Sequence, residues 1–410
     1  MSSGDVRAGL PDDGARMRTF VDEVFGAFKR PEQRRWAQVY LWTLIHLSGG
    51  RTPRRAARAN SLPPAAARGL HRFINASPWD WVPVRRRLAG LVAARTAPQA
   101  WTVAELIIPK RGEHSAGVHR RMDAVTGRAV NCQRALGLFL ASGAGSYPVD
   151  WSLVLPGVWD SDRERRRRAR IPGTEAGRTA ADHVLRYAAE VAAQPRIPRL
   201  PWVLDLTGCD DAAGVLAGLA RLRADVVCEV APDQRVLAGR HTPVVTTVSA
   251  LMQVPRSRQT HVVLRQGAPG GIRAVPVPAH SVAVGLAHPG NDVAGARPYR
   301  VLQRPDPDGR QPARYWLTTL ADHRVEEVLQ LARGHTAALS AVTVLGRRFG
   351  ALDFEGRSFP GWHHHMTMAS AAYVYQCLFG ARDAATAPTE PAGAPSEVLT
   401  GAGNRHETAE

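Results

Sequence analysis

The clearest alternation of apolar and polar positions lies in Trp101 to Gln133, WTVAELIIPKRGEHSAGVHRRMDAVTGRAVNCQ. Val103 to Ile108 is an apolar run closed by Pro109, the pattern of a short buried strand. Lys110, Arg111 and Gly112 follow as a turn. Ser115 to Met122 and Arg128 to Phe139 read as two further strands joined at Thr126-Gly127, a hairpin signal. Ahead of this stretch the period changes. Residues 1 to 18 are polar and expected to be loose, and Thr19 to Phe28 and Pro31 to Leu47 read as helices. Trp36, Val39, Tyr40, Thr43, Leu44 and Leu47 recur at helical spacing, and Pro31 suits a first turn.

Thr52 then caps a short helix, PRRAARAN, and Pro63-Pro64 opens another, AAARGLHRFIN. Two short helices joined by a tight turn and carrying Arg54, Arg55, Arg58, Arg68 and Arg72 suit a helix-turn-helix. They equally suit a helical bundle with a solvated basic face.

Beyond Gln133, WSLVLPGVW (Trp151 to Trp159) is a strand and turn, and DSDRERRRRARIP carries Arg163, Arg165, Arg166, Arg167, Arg168 and Arg170. A run this dense repels itself unless it is solvated or bound to phosphate, so it is either a solvated helix face or a contact to a nucleic-acid backbone. Ala176 to Ala193 reads as a helix. PWVLD (Pro201 to Asp205) is a buried strand ending in a carboxylate, Ala212 to Leu222 a returning helix, and Ala224 to Val230 a strand. From Asp233 to Arg314 the chain is rich in β-branched residues, Pro and Gly and reads as hairpins. Tyr315 to Leu320 rejoins the core. Glu326 to Arg348 is one long helix, or two interrupted near Gly334. Ala381 to Glu410 is rich in Ala, Pro, Gly and Thr and is expected to be disordered.

The 53 Lys and Arg outnumber the 36 Asp and Glu, giving a net charge of +17. Such an excess points to a polyanion, most simply double-stranded DNA held through its phosphates, against the alternative of a basic but inert surface. No apolar run reaches transmembrane length, and MSSGDVRAGLPDDGARMR lacks the pattern of a signal peptide. A cytoplasmic protein with no membrane partner is expected. Cys132, Cys209, Cys228 and Cys377 are scattered in apolar contexts and form no CxxC pair. Buried free thiols are expected rather than zinc.

WTVAELIIPKRGEHSAGV followed by NCQ resembles the first active-site segment of bacterial insertion-sequence transposases with a DDE catalytic core, closest to the insertion-sequence-701 type. RPEQRRWAQVYL (Arg30 to Leu41), FINASPWDW (Phe73 to Trp81), the paired arginines after LPGVW, and the FEGRS and GWHHH elements (Phe354 to Ser358, Gly361 to His365) extend the likeness. It implies an α/β fold with an RNase H-like catalytic-type core, an N-terminal helical domain and an inserted β-rich subdomain. The implied units are 1–97, helical and DNA-binding; 98–232, the first part of the core; 233–314, the all-β insertion; 315–380, the C-terminal core helices; and 381–410, the tail. Arg54, Arg55, Arg58, Lys110, Arg111, Arg165, Arg166, Arg167, Arg168 and Arg357 become DNA-contact candidates, and a homodimer on DNA is implied. Trp79 and Trp81 are expected in the core. His363, His364 and His365 point three ways from a helix and suit packing or phosphate better than a shared metal.

The resemblance also exposes a departure. Enzymes of this class hold two divalent metals roughly 3.5–4 Å apart on three carboxylates. The family writes the first strand as Asp-(Asp/Glu)-Thr-Gly before its Pro-Lys-x-Gly turn, where this chain has Ala104-Glu105-Leu106-Ile107. The second acid maps to Asp205. Family spacing puts the third at Leu339, and no Asp or Glu lies between Glu327 and Asp353. One acid of three remains, so DNA binding without cleavage is expected, with no cofactor or metal ligand. The alternatives are an active transposase using Mg²⁺ or Mn²⁺ on displaced acids, Glu105 or Glu326, and a scaffold independent of nucleic acid.

Overall fold

The computed structural model describes residues 11–122, 127–195, 197–239, 242–253, 258–266, 272–287, 298–304 and 312–380. The expected disordered tail, 381–410, and the hairpin corner at Thr126 lie outside the described residues. Five helices come first: α1 (Pro11–Val24), α2 (Pro31–His46), α3 (Pro53–Ala59), α4 (Ala66–Asn75) and α5 (Trp81–Thr96). Strands β1 (Ala100–Pro109), β2 (His119–Met122), β3 (Ala129–Ser142) and β4 (Gly145–Leu153) follow, then helices α6 (Val158–Ser161), α7 (Arg163–Arg168) and α8 (Ala180–Ala192). Next come β5 (Trp202–Asp205), α9 (Ala212–Arg221), β6 (Val226–Val230), β7 (Arg235–Ala238), β8 (Val244–Thr247) and α10 (Val248–Gln253). The chain continues through β9 (Arg258–Gln266), β10 (Ile272–Leu286), β11 (Tyr299–Arg304) and β12 (Arg314–Thr318) to α11 (Val325–Arg348) and α12 (Phe359–Phe379).

One mixed, mostly antiparallel sheet runs β3-β1-β5-β6-β12-β11-β10-β7-β8, with β2 and β4 on the outer side of β3 and β9 on β10. Among the described residues only β1, β5 and β6 run parallel to one another. The β1–β3 ladder is continuous from Ala100↔Ala141 to Pro109↔Cys132. Strand alternation sends Thr102, Ala104, Leu106 and Ile108 to one face of β1 and Val103, Glu105 and Ile107 to the other. The first face carries α11, for the Oγ1 of Thr102 meets Nδ1 of His335 at 3.2 Å. The second carries α8, whose Tyr187 hydroxyl donates to Leu136 O at 2.8 Å.

The sheet does not stand apart from the N-terminal helices. Helix α12 is buried on every side from Gly361 to Ala372, and its last turn reaches the surface. Phe20 of α1 packs edge-on to Tyr375, and Tyr40 of α2 hydrogen-bonds His365 at 2.9 Å. Arg85 of α5 donates to Thr367 at 2.7 Å.

Several boundaries differ from expectation. α1 begins at Pro11 and ends at Val24, because proline and two aspartates suit a helix's first turn. β2 is only four residues long, since Ser115 to Val118 closes a turn through Val118 N and Ser115 O. The β-rich stretch 233–314 is not all strand, for α10 interrupts it. α11 is unbroken at Gly334. Of the cysteines, Cys132 and Cys228 are buried but Cys377 is exposed.

Candidate active site and nucleic-acid interface

Asp205 ends β5 in the open, its Oδ1 accepting the Thr207 amide at 2.9 Å and the Thr207 hydroxyl at 2.6 Å. β1 and β5 pair Trp101↔Trp202 and Thr102↔Val203. Two residues further along the same register, Ala104 stands level with Asp205 and on its face. Ala104 is 2% exposed. Glu105 takes the other face, bonded to Arg134 and lying 3.3 Å from Arg121.

The neighbouring strand supplies a carboxylate that sequence reasoning missed. β5 and β6 pair Asp205↔Glu229, so Glu229 shares the face. Its side chain is 12% exposed, and both oxygens are engaged by Arg314: Nε reaches Oε1 at 2.5 Å and Nη2 bonds Oε2. Arg314 also lies over the Trp316 ring, 5.2 Å from its centroid. The bond to Glu229 holds the guanidinium charged, and the field of Asp205 adds to it.

His335 is the α11 residue that meets this group. Burial lowers its pKa, opposed by the charges of Asp205 and Glu229. Leu339 lies one turn on along the same side of α11, 46% exposed. Glu326, in the first turn of α11, sits at the opposite end of the strands. There it lines an open groove of about 1000 Å³ with Gln99, Pro201 and Asp225. From Gln99 to Ala104 is about 16 Å along a strand. The structure thus brings Ala104 and Asp205 together and sets both Glu105 and Glu326 away from them. Among the described residues no group of three His, Cys, Asp or Glu could hold a metal ion.

The only sequence signal for Glu229 is an acid inside the apolar run Val226 to Val230. Nothing in the sequence joins it to Arg314 or His335.

The basic residues divide. Arg54, Arg55, Arg58, Arg111, Arg167, Arg168 and Arg357 are exposed. Arg55 nevertheless donates to Gly49 O at 2.7 Å, and Arg167 and Arg168 pair with Glu164. Arg165 lies over Trp159. Arg166 turns inward to Trp159 O, Pro172 O and Glu175 O, so its guanidinium serves the fold. Lys110 does the same, donating to Phe354 O, and burial pushes its pKa down to about 8. Bonds tie the end of α4, the residues after α7 and the stretch around Arg357 to one another. Arg170 donates to Asn75 O at 2.8 Å at the end of α4, Phe359 N to Ala169 O at 2.7 Å, and Ala116 N to Arg357 O at 3.0 Å.

His363, His364 and His365 are all buried in packing, against Arg85, the carbonyls of Ile74 and Trp79, and Tyr40 with Gly350 O, respectively. Trp79 and Trp81 stack on His364 and His363.

No curated protein matches the chain. The DDE superfamily endonuclease family matches residues 23–268, a stretch that contains Ala104, Asp205 and Glu229 and stops short of α11. With more than half of its length matched, from the end of α1 through β9 and across the paired strands that carry Asp205, the chain belongs to the DDE superfamily of endonucleases.

Proposed function

We propose that this chain is a transposase-type protein of the insertion-sequence-701 kind that grips double-stranded DNA without cutting it. Its core is RNase H-like, and two of its three acid positions, Ala104 and Leu339, have lost their carboxylates while Asp205 remains. The observation that carries this reading is the strand register that sets a buried alanine, not an acid, beside Asp205. The strand order β4-β3-β1-β5-β6, with β1, β5 and β6 parallel, supports the core assignment.

The chain's residues do not fit a pair of Mg²⁺ or Mn²⁺ ions. Magnesium sheds water reluctantly and requires anchoring carboxylates. Here both oxygens of Glu229 are engaged by Arg314. Neither displaced acid supports an active alternative, since Glu105 faces α8 and Glu326 lies at the far strand ends. Assembly as a homodimer on DNA belongs to the same reading.

Fluorescence anisotropy with duplex DNA and a supercoiled-plasmid assay with Mn²⁺ test it together. The expected result is affinity that falls steeply with salt and plasmid that stays intact. Nicking that disappears in Asp205→Ala overturns the absence of cleavage. Affinity that ignores salt overturns the grip on phosphate.

A further inference from the structure

The face of the sheet around Asp205 holds a cation of its own. Asp205 and Glu229 stand level on adjacent parallel strands, with side chains on one side. Two carboxylates about 5 Å apart repel each other and attract any counter-charge. Glu229 is nearly buried, and a buried carboxylate without a partner is strongly unfavourable.

On β12 the pairing Trp316↔Glu229 puts Trp316 on this same face, and alternation puts Arg314 there too. Arg314 engages both oxygens of Glu229 in the fork geometry that suits a carboxylate. Its flat side rests on Trp316, which fixes the guanidinium where it is. Asp205 lies close enough to add to the field at Arg314, and His335 feels all three groups.

We infer that Arg314 is the resident counter-ion of the Asp205–Glu229 pair and keeps divalent metal ions out of this face. The inference deepens the reading of a site short of acids and rests on it. Ala104 and Leu339 offer no ligand, the two carboxylates that remain still require a positive partner, and an arginine from the strand after the insertion fills that place. One guanidinium against two carboxylates leaves a single net negative charge. That is too little to strip water from Mg²⁺ or Mn²⁺.

The test titrates Mn²⁺ into the full chain without DNA, following the free ion by electron paramagnetic resonance and the fold by circular dichroism. Wild type is expected to show no saturable site that depends on Asp205. Arg314→Gln gains one, with an affinity at least about tenfold above the unsaturable binding of wild type, and loses it again when Asp205→Asn or Glu229→Gln is added. Arg314→Lys keeps the charge and behaves as wild type.

Saturable, Asp205-dependent Mn²⁺ binding by wild type overturns the inference, whatever the variants do. So does a folded Arg314→Gln chain that binds no tighter than wild type, or an Arg314→Lys chain that binds as Arg314→Gln is expected to. Should Arg314→Gln fail to fold, the wild-type and lysine arms still decide. No DNA is used, so failure here leaves the DNA-binding reading standing, whereas plasmid nicking that depends on Asp205 would sink the absence of cleavage.

Discussion

His364 lies flat on Trp79, ring centroids 3.9 Å apart and planes 17° from parallel, with each ring nitrogen 2.8 Å from a carbonyl oxygen. The two carbonyls belong to Ile74 and Trp79, so one side chain of α12 holds the end of α4 and the approach to α5. His364→Ala removes the stack and leaves both oxygens buried. A loss of about 2–4 kcal/mol is expected, read as a lower urea midpoint with the m-value unchanged.

The same histidines set an acid limit on the fold. Burial pushes His183, His364 and His365 down to about 4, and holds His363 well below its ordinary value, with Arg85 adding to the effect there. Between about pH 6.5 and pH 4 the unfolded chain therefore binds more protons than the folded one, and stability rises with pH across that window. It is fully present above about 6.5 and is lost as pH falls toward 4, each ring contributing on the order of 1–3 kcal/mol. Urea midpoints at about pH 7 and about pH 5 check this, and equal midpoints contradict it.

Restoring the first acid is expected to harm the fold. Ala104 pairs with Gly137, where an added Cβ would meet Phe139 at 2.7 Å and Trp151 at 2.8 Å. The face beside Ala104 is closed by aromatic rings, and Asp205 stands next to it. Ala104→Asp buries a charge among apolar groups near a like charge, at a cost of about 3 kcal/mol or more. Chemical denaturation measures it; a variant as stable as wild type would mean that the face is open.

The arginines are expected to separate into two classes. Arg54→Ala, Arg58→Ala and Arg357→Ala should each lower the slope of log K against log salt by about 1 for duplex DNA, with the melting temperature unchanged. Arg166→Ala does the reverse: its three carbonyl acceptors lose their donor, so the melting temperature falls and the slope holds. A slope change in Arg166→Ala alone would reverse the assignment.

Much of the sheet could be read from the chain. The run from Val103 to Pro109 is a strand, PWVLD ends in an exposed acid, and Glu105 takes the face opposite Ala104, because side-chain alternation depends on nothing distant. Gly334 misled in a physical way. It is there so that α11 can lie close to β3, where a Cβ would come within 2.9 Å of Ala141, and not to end a helix. Glu229, Arg314 and His335 were not legible as a group. Their meeting depends on β6, β12 and α11 stacking in space across an insertion whose length says nothing about where the chain returns. The inward turn of Arg166 and Lys110 was hidden for the same reason, since an arginine run looks identical whether its members face water or carbonyl oxygens.

The burial of α12 has a consequence for synthesis. Phe20, Tyr40, Trp79 and Arg85 all complete their contacts on residues between Trp362 and Phe379. On the ribosome the helical segments before β1 wait for α12, made long after them, before their apolar sides are covered. A nascent chain halted before Phe359 would carry its arginine-rich helices without the central peg that sets them.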